Sequence, residues 1–166
     1  MSQAILSRTG ILAFMDDESR EQLARYGRRL STIPGQVVIR EGEENGFLFI
    51  VLSGTFNVTT RVKGNEVHLD TVGKGDCLGE VAIFHPDRAS ATVTSLDAGE
   101  LWSIYVDPLQ EFLLDRPSGG CAAILGINII LSRRLKRANA VIRSNEILPC
   151  FLSVRSQRRI GVDRPD

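Results

Sequence analysis

The sequence predicts a mainly β protein, an antiparallel eight-stranded β-roll of jelly-roll type flanked by an N-terminal helix and C-terminal helices. Three observations predict it. Short apolar runs recur between residues 29 and 106 at intervals of roughly 8 to 12 residues, the spacing of a sandwich or barrel. Many of the 15 glycines stand between those runs, where a residue tolerant of positive φ makes tight turns. Both ends of the chain carry helical patterns instead. The chain divides accordingly into an N-terminal helical segment, 1–28, a roll, 29–106, C-terminal helices, 107–147, and a tail, 148–166.

In chain order, Asp16 and Asp17 offer N-cap carboxylates ahead of a helix over Ser19–Arg28. Pro34-Gly35 is a turn between Leu30–Ile33 and Gln36–Ile39, because proline presets φ and glycine accepts the tighter conformation that follows. Glu41–Gly46 is a polar turn, Phe47–Leu52 a buried strand, and Gly54 a break before Thr55–Val62. Lys63-Gly64-Asn65 closes a hairpin into Glu66–Val72, where Val67, Leu69 and Thr71 alternate with Glu66, His68 and Asp70. Strands at Ser90–Ser95 and Leu101–Val106 complete the roll. Pro108–Leu114 then suits a short helix, and a long helix follows Gly119-Gly120 to about Glu146, where Pro149 ends it. A seam of Ile124, Leu131, Leu135, Ala138 and Ile142 runs along it at 3-4 spacing, with Asn128 as the polar residue that fixes register in helix pairs. That seam predicts a homodimer helix, a lid, or packing on the roll.

Charge is uneven although the formal net charge is zero: residues 1–131 hold 11 Lys/Arg against 17 Asp/Glu, and residues 132–166 hold 9 against 3. Dispersed as they are, the basic residues read as a solvated helix face before they read as a nucleic-acid surface. The apolar stretch Cys121–Leu131 is too short to span a bilayer, which takes roughly 20 residues, so no membrane association is expected. Arg8 follows the Ala4-Ile5-Leu6 run instead of preceding it, the reverse of a secretory signal. Cys77, Cys121 and Cys150 form neither a CxxC pair nor an even set, which fits a reducing, cytoplasmic setting.

The informative stretch is Gly79–Val93, GEVAIFHPDRASATV. A glycine-led strand-to-helix turn exposes successive backbone N–H groups and makes an anion cradle. A carboxylate beside it, Glu80, would repel a bare phosphate and suits a ligand that also offers hydroxyls. Phosphate plus sugar hydroxyl describes a nucleotide.

Here the chain resembles the cyclic-nucleotide-binding domain family, which includes the catabolite activator protein and the regulatory subunit of protein kinase A. Gly79-Glu80-Val81-Ala82 looks like the opening of that family's phosphate-binding cassette and Ser90-Ala91-Thr92-Val93 like its end. Phe14, Gly35, Ile39, Gly42, Gly54 and Gly75 match in order, so the likeness covers residues 11 to about 142. The resemblance implies that Glu80 accepts from a ribose 2′-hydroxyl and that backbone amides of Ala82 and Ser90 meet a cyclic phosphate. It also implies an arginine on the phosphate, immediately before Ser90. That position is Ala89. Arg88 lies one residue early, and on a strand a one-residue slip turns it to the side of Ser90 and Thr92, away from Ala89, Ala91 and Val93.

The resulting expectation is a regulatory sensor module that binds cAMP or cGMP weakly through Gly79, Glu80, Val81, Ala82, Arg88, Ala89, Ser90 and Ala91. The competing expectation is a degenerate module retained for homodimerisation or partner docking. A metal enzyme is disfavoured, because His68 and His85 are 17 residues apart and a bound metal takes at least three placed ligands. No nucleophile or P-loop pattern appears, so no enzyme is expected. About 20 residues follow position 146, too few for a helix-turn-helix with its wing, so direct sequence-specific DNA binding is not expected.

Overall fold

The computed structural model describes residues 6–84 and 88–156. A single 3-10 turn, Gly10–Leu12, precedes α1, Asp17–Tyr26. Asp16 is its N-cap: the carboxylate accepts the Ser19 N–H at 2.7 Å. The Ser19 amide and hydroxyl together hold the Asp16 carboxyl below the usual aspartate range, because hydrogen bonds to a carboxylate favour its charged form. The helix ends two residues earlier than the sequence suggests. Gly27 is extended there, with its Cα so close to the Trp102 ring that a methyl would lie 2.3 Å from it, and Arg28 already belongs to a strand.

Among the described residues eight strands follow: β1 Arg28–Thr32, β2 Val37–Ile39, β3 Phe47–Ser53, β4 Phe56–Val62, β5 Asn65–Val72, β6 Cys77–Leu78, β7 Thr92–Ser95 and β8 Gly99–Tyr105. They form two antiparallel four-stranded sheets in the orders β1-β8-β3-β6 and β2-β7-β4-β5. This is the β-roll that the sequence predicts. Between β6 and β7 sits α2, Val81–Phe84, and after β8 come α3, Val106–Asp115, and α4, Pro117–Ser156.

The sheets face each other across one apolar cluster, Ile39, Phe49, Val51, Phe56, Val72, Leu78, Val93 and Leu101. Side chains alternate along a strand, so the neighbouring residues Leu48, Ile50, Trp102 and Ile104 point to the other face of the first sheet. They are buried as well. The helices bring buried apolar residues of their own, Ile11, Leu12, Leu23, Phe112, Ala123 and Ile127, and α3 lies against β8. The second sheet has no such cover over β5, which is exposed from Asn65 to Leu69. Its hairpin turns at Lys63-Gly64, both at positive φ, the conformation of a type I′ turn.

Residues up to Ile130 form one compact unit and residues from Leu131 a second. In the first, α4 buries Gly120, Ala123, Gly126, Ile127 and Ile130, a face about 100° away from the seam read from the sequence. The reason is close approach. A methyl on Gly126 would lie 2.1 Å from the Ile11 carbonyl oxygen, so the packed face is built from small residues and carries little hydrophobic signal. Within the seam Ile124 is half-buried and Asn128 exposed. In the second unit Leu131 is half-buried, and Leu135 and Ala138 are exposed. Helix α4 also runs through Pro149 to Ser156, past the expected stop near Glu146. A proline removes one i→i−4 bond at a local cost, about 3 kcal/mol, without obliging the chain to leave the helix. The last part of the expected tail, 157–166, lies outside the described residues.

Candidate functional site

Strand β6 delivers the cassette. Leu78 is paired with Phe49 and points into the inter-sheet core, and Gly79 then turns the chain at φ +76°. That turn lies directly against the start of β3: a methyl on Gly79 would sit 2.3 Å from the Phe47 carbonyl oxygen and 2.5 Å from Asn45 Nδ2. The Asn45 amide is fixed by Phe47, donating to its carbonyl at 2.9 Å and accepting its N–H at 3.3 Å. Only glycine fits there, on conformation and on space.

Glu80 follows at the mouth of α2 and is buried, with 6% of its surface exposed. Its carbonyl accepts the Ile83 N–H at 3.3 Å. Val81 is outward-facing, 52% exposed, whereas Ile83 is buried, so α2 has one wet and one dry side. Gln110 of α3 donates its side-chain amide to the Ile83 carbonyl at 3.4 Å. This satisfies an end-of-helix acceptor that a four-residue helix cannot pair internally. Ala82 belongs to the same helix.

The far end of the cassette is stitched to the β2–β3 turn. The Ala89 N–H donates to the Glu43 carbonyl and the Ala89 carbonyl accepts the Gly42 N–H, both at 2.8 Å. Arg88 makes an isolated antiparallel bridge with Glu44, and its guanidinium Nη1 donates to the Gly42 carbonyl at 2.8 Å. Arg88 and Ser90 are exposed, and Ala91 is half-buried. Ala89 instead packs against the inter-sheet core, beside which Phe47 and Val58 also lie. The alternation places the methyl of Ala89 inward and the Arg88 guanidinium outward. His85 lies outside the described residues.

Three side chains at this end of the roll had no sequence signal: Asn45, Gln110 and Tyr105. Tyr105, paired with Phe47 across β8 and β3, packs edge-to-face on it with ring centroids 5.2 Å apart. Phe47 also leans on Phe49 at 6.0 Å. Such partnerships join distant stretches of chain and leave no periodic trace. The turn itself is held by Glu41, whose carboxylate accepts from the Thr60 hydroxyl at 2.7 Å and the Arg61 N–H at 2.9 Å. Among the described residues no group of three or more His, Cys, Asp or Glu is placed to hold a metal ion, and no helix is long and apolar enough to cross a membrane.

Comparison with known proteins agrees with this architecture. A CRP-like cAMP-activated global transcriptional regulator of Mycobacterium tuberculosis is 29% identical over 136 residues, which cover 81% of this chain and 59% of the regulator. The chain therefore spans about three fifths of that relative's length. A cyclic nucleotide-binding domain from Methylobacillus flagellatus superposes with a TM-score of 0.72 at 19% identity, over 89% of this chain and 76% of that one. The regulatory subunit of a cAMP-independent protein kinase A from Trypanosoma brucei superposes with a TM-score of 0.63 at 25% identity, over 82% of this chain and 47% of the other. The profile of the cyclic nucleotide-binding domain matches residues 30–116, just over half of the sequence, and the chain belongs to the cyclic-nucleotide-binding domain family.

Proposed function

We propose that the chain is a regulatory sensor module, not an enzyme, whose cassette over 79–93 takes a cyclic nucleotide, cAMP or cGMP, with low affinity. The observation that carries this reading is the burial of Glu80 next to the Gly79 turn. A buried carboxylate there is matched to ligand hydroxyls, and the backbone N–H groups of a glycine-led turn to a phosphate. Low affinity follows from Ala89, which presents a methyl on the core side of the strand where the family resemblance calls for a guanidinium. A charge-assisted hydrogen bond is worth about 1.5–3 kcal/mol, so its absence weakens binding by roughly 10- to 150-fold.

The reading includes self-association and a cytoplasmic setting. Leu125 and Ile129 are exposed on α4, apolar surface of the kind that a second copy of the chain would cover. Cys77 and Cys121 are in no disulfide, as a reducing compartment requires. Reading of specific DNA sequences is not part of the proposal.

Calorimetry with cAMP and with cGMP tests the core of it. Micromolar or weaker binding that falls further in Glu80→Gln supports the sensor. A second reading, a degenerate module kept for docking or dimerisation, is favoured by the Arg88 guanidinium being engaged at the Gly42 carbonyl. It predicts no binding heat with either nucleotide.

A further inference from the structure

We propose that Ser31, on the edge strand β1, is a phosphorylation site, the acceptor for a serine kinase whose substrate cleft is lined with carboxylates. Ser31 follows Arg28-Arg29-Leu30, and no other serine or threonine in the sequence has arginine at both the second and the third position before it. Among the described residues β1 pairs with β8 alone, at one end of the sheet order β1-β8-β3-β6. The segment is therefore held extended with one edge open, the form in which a cleft takes a peptide by its backbone. Arg28, Arg29 and Ser31 are exposed. Side chains alternate along the strand: Arg29 and Ser31 share the face of their partners Trp102 and Glu100, and Arg28 takes the other face with Leu30. An enzyme that approaches the open edge reaches both cations and the hydroxyl together. Thr32, next along, is 4% exposed and shares a hydrogen bond with the Ser95 hydroxyl at 3.1 Å, so this end of the edge offers one acceptor and not two.

The pairing around Ser31 also decides what a phosphate does there. Ser31 lies directly opposite Glu100, and the Glu100 carboxylate accepts from Arg29 Nη1 at 3.0 Å. An ion pair as exposed as this one holds its partners weakly, so a cleft with carboxylates of its own can take the Arg29 guanidinium from Glu100. In the transfer the Ser31 Oγ bonds to the γ-phosphorus of ATP and the bond from that phosphorus to the β–γ bridging oxygen breaks. ADP leaves with the electron pair, and the hydroxyl proton passes to the base of the kinase. The product carries close to two negative charges, across from Glu100 and two residues from Arg29. Arg29 then turns from the carboxylate to the phosphate, and Glu100 is left facing a like charge on the neighbouring strand, which weakens a cross-strand pair. The modified residue acts on the β1–β8 pairing and not on the cassette, so its effect is separable from nucleotide binding.

The test is incubation of the folded chain with ATP and the catalytic subunit of protein kinase A as the probe enzyme, read by peptide mapping in a mass spectrometer and by the initial rate of incorporation. Phosphate should appear on Ser31 and not on Thr32, and Ser31→Ala should abolish it at that peptide. Glu100→Gln, which releases Arg29, should raise the rate about 2- to 5-fold. Arg29→Ala should lower it by about 10-fold or more. Phosphorylation should lower the urea midpoint of wild type, and lower it less in Glu100→Gln, where no like charge faces the phosphate. No incorporation at Ser31 of the folded chain overturns the proposal. Incorporation into a synthetic peptide of residues 26–34 but not into the folded chain overturns it too, because the edge then does not present the site. Rates unchanged in both Glu100→Gln and Arg29→Ala would mean that the arginine is not read. Each variant is first checked for a cooperative melt, and should Arg29→Ala fail to fold, the wild-type map and the Glu100→Gln rate decide.

Discussion

Replacing Gly79 by alanine separates two penalties that the structure lets one estimate independently. The first is conformational: at φ +76° an L-residue is disfavoured by about 1–2 kcal/mol. The second is steric, because the new methyl would lie 2.3 Å from the Phe47 carbonyl oxygen, and forced overpacking costs about 1–3 kcal/mol. Gly64 is the matched control, with φ +85° and nothing within 4 Å of an added methyl. Any gain from stiffening the unfolded chain is common to both sites. Gly64→Ala should therefore lose about 1–2 kcal/mol and Gly79→Ala about 2–5 kcal/mol. Urea unfolding read by the fluorescence of Trp102, the one tryptophan and a buried one, measures both. If Gly79→Ala is no less stable than Gly64→Ala, the turn does not press on β3 and the account of the cassette's anchoring is wrong.

Three further outcomes are expected. Arg88→Ala removes the exposed bond to Gly42 and should leave the calorimetric affinity for cAMP unchanged; a large loss of affinity would mean that Arg88 reaches the ligand. Asp16 has a depressed pKa in the folded chain, so its contribution is present above the ordinary aspartate range and is lost as pH falls through the folded value. The urea midpoint should accordingly drop between pH 6 and pH 3 by less in Asp16→Asn, which keeps a capping oxygen without a titrating proton; equal drops refute this. Leu125→Glu together with Leu135→Glu should shift sedimentation from dimer to monomer, and a wild type that already sediments as a monomer removes the self-association proposal.

The strands were legible where turns are sharp and alternation is strict, as in Glu66–Val72 after Lys63-Gly64. Strand β6 was not, because Cys77–Leu78 spans only a single period of alternation and both of its side chains are buried. The packed face of α4 was misread for a different reason. A 3-4 pattern reports where large apolar residues lie, while the helix is drawn to Ile11 and Leu113 by glycines that a hydrophobicity pattern cannot register. In the site, Gly79 and Glu80 stood out as a motif, and the opposed directions of Arg88 and Ala89 follow from strand alternation. Asn45 and Gln110 did not stand out, since each acts through backbone atoms brought near only by the finished roll.

The stitching of Ala89 to Gly42 and Glu43 also has a dynamic consequence. Two backbone hydrogen bonds and the Arg88 side chain all end on the same two residues, so the end of the cassette cannot lift away without releasing the β2–β3 turn. The amides of Gly42 and Ala89, each donating to the opposite segment, should open in one cooperative step and exchange with solvent at a common rate. A ligand that holds the cassette closed would then slow exchange at Gly42 as well, so occupancy would be felt on the β2–β3 turn without any contact between that turn and the ligand.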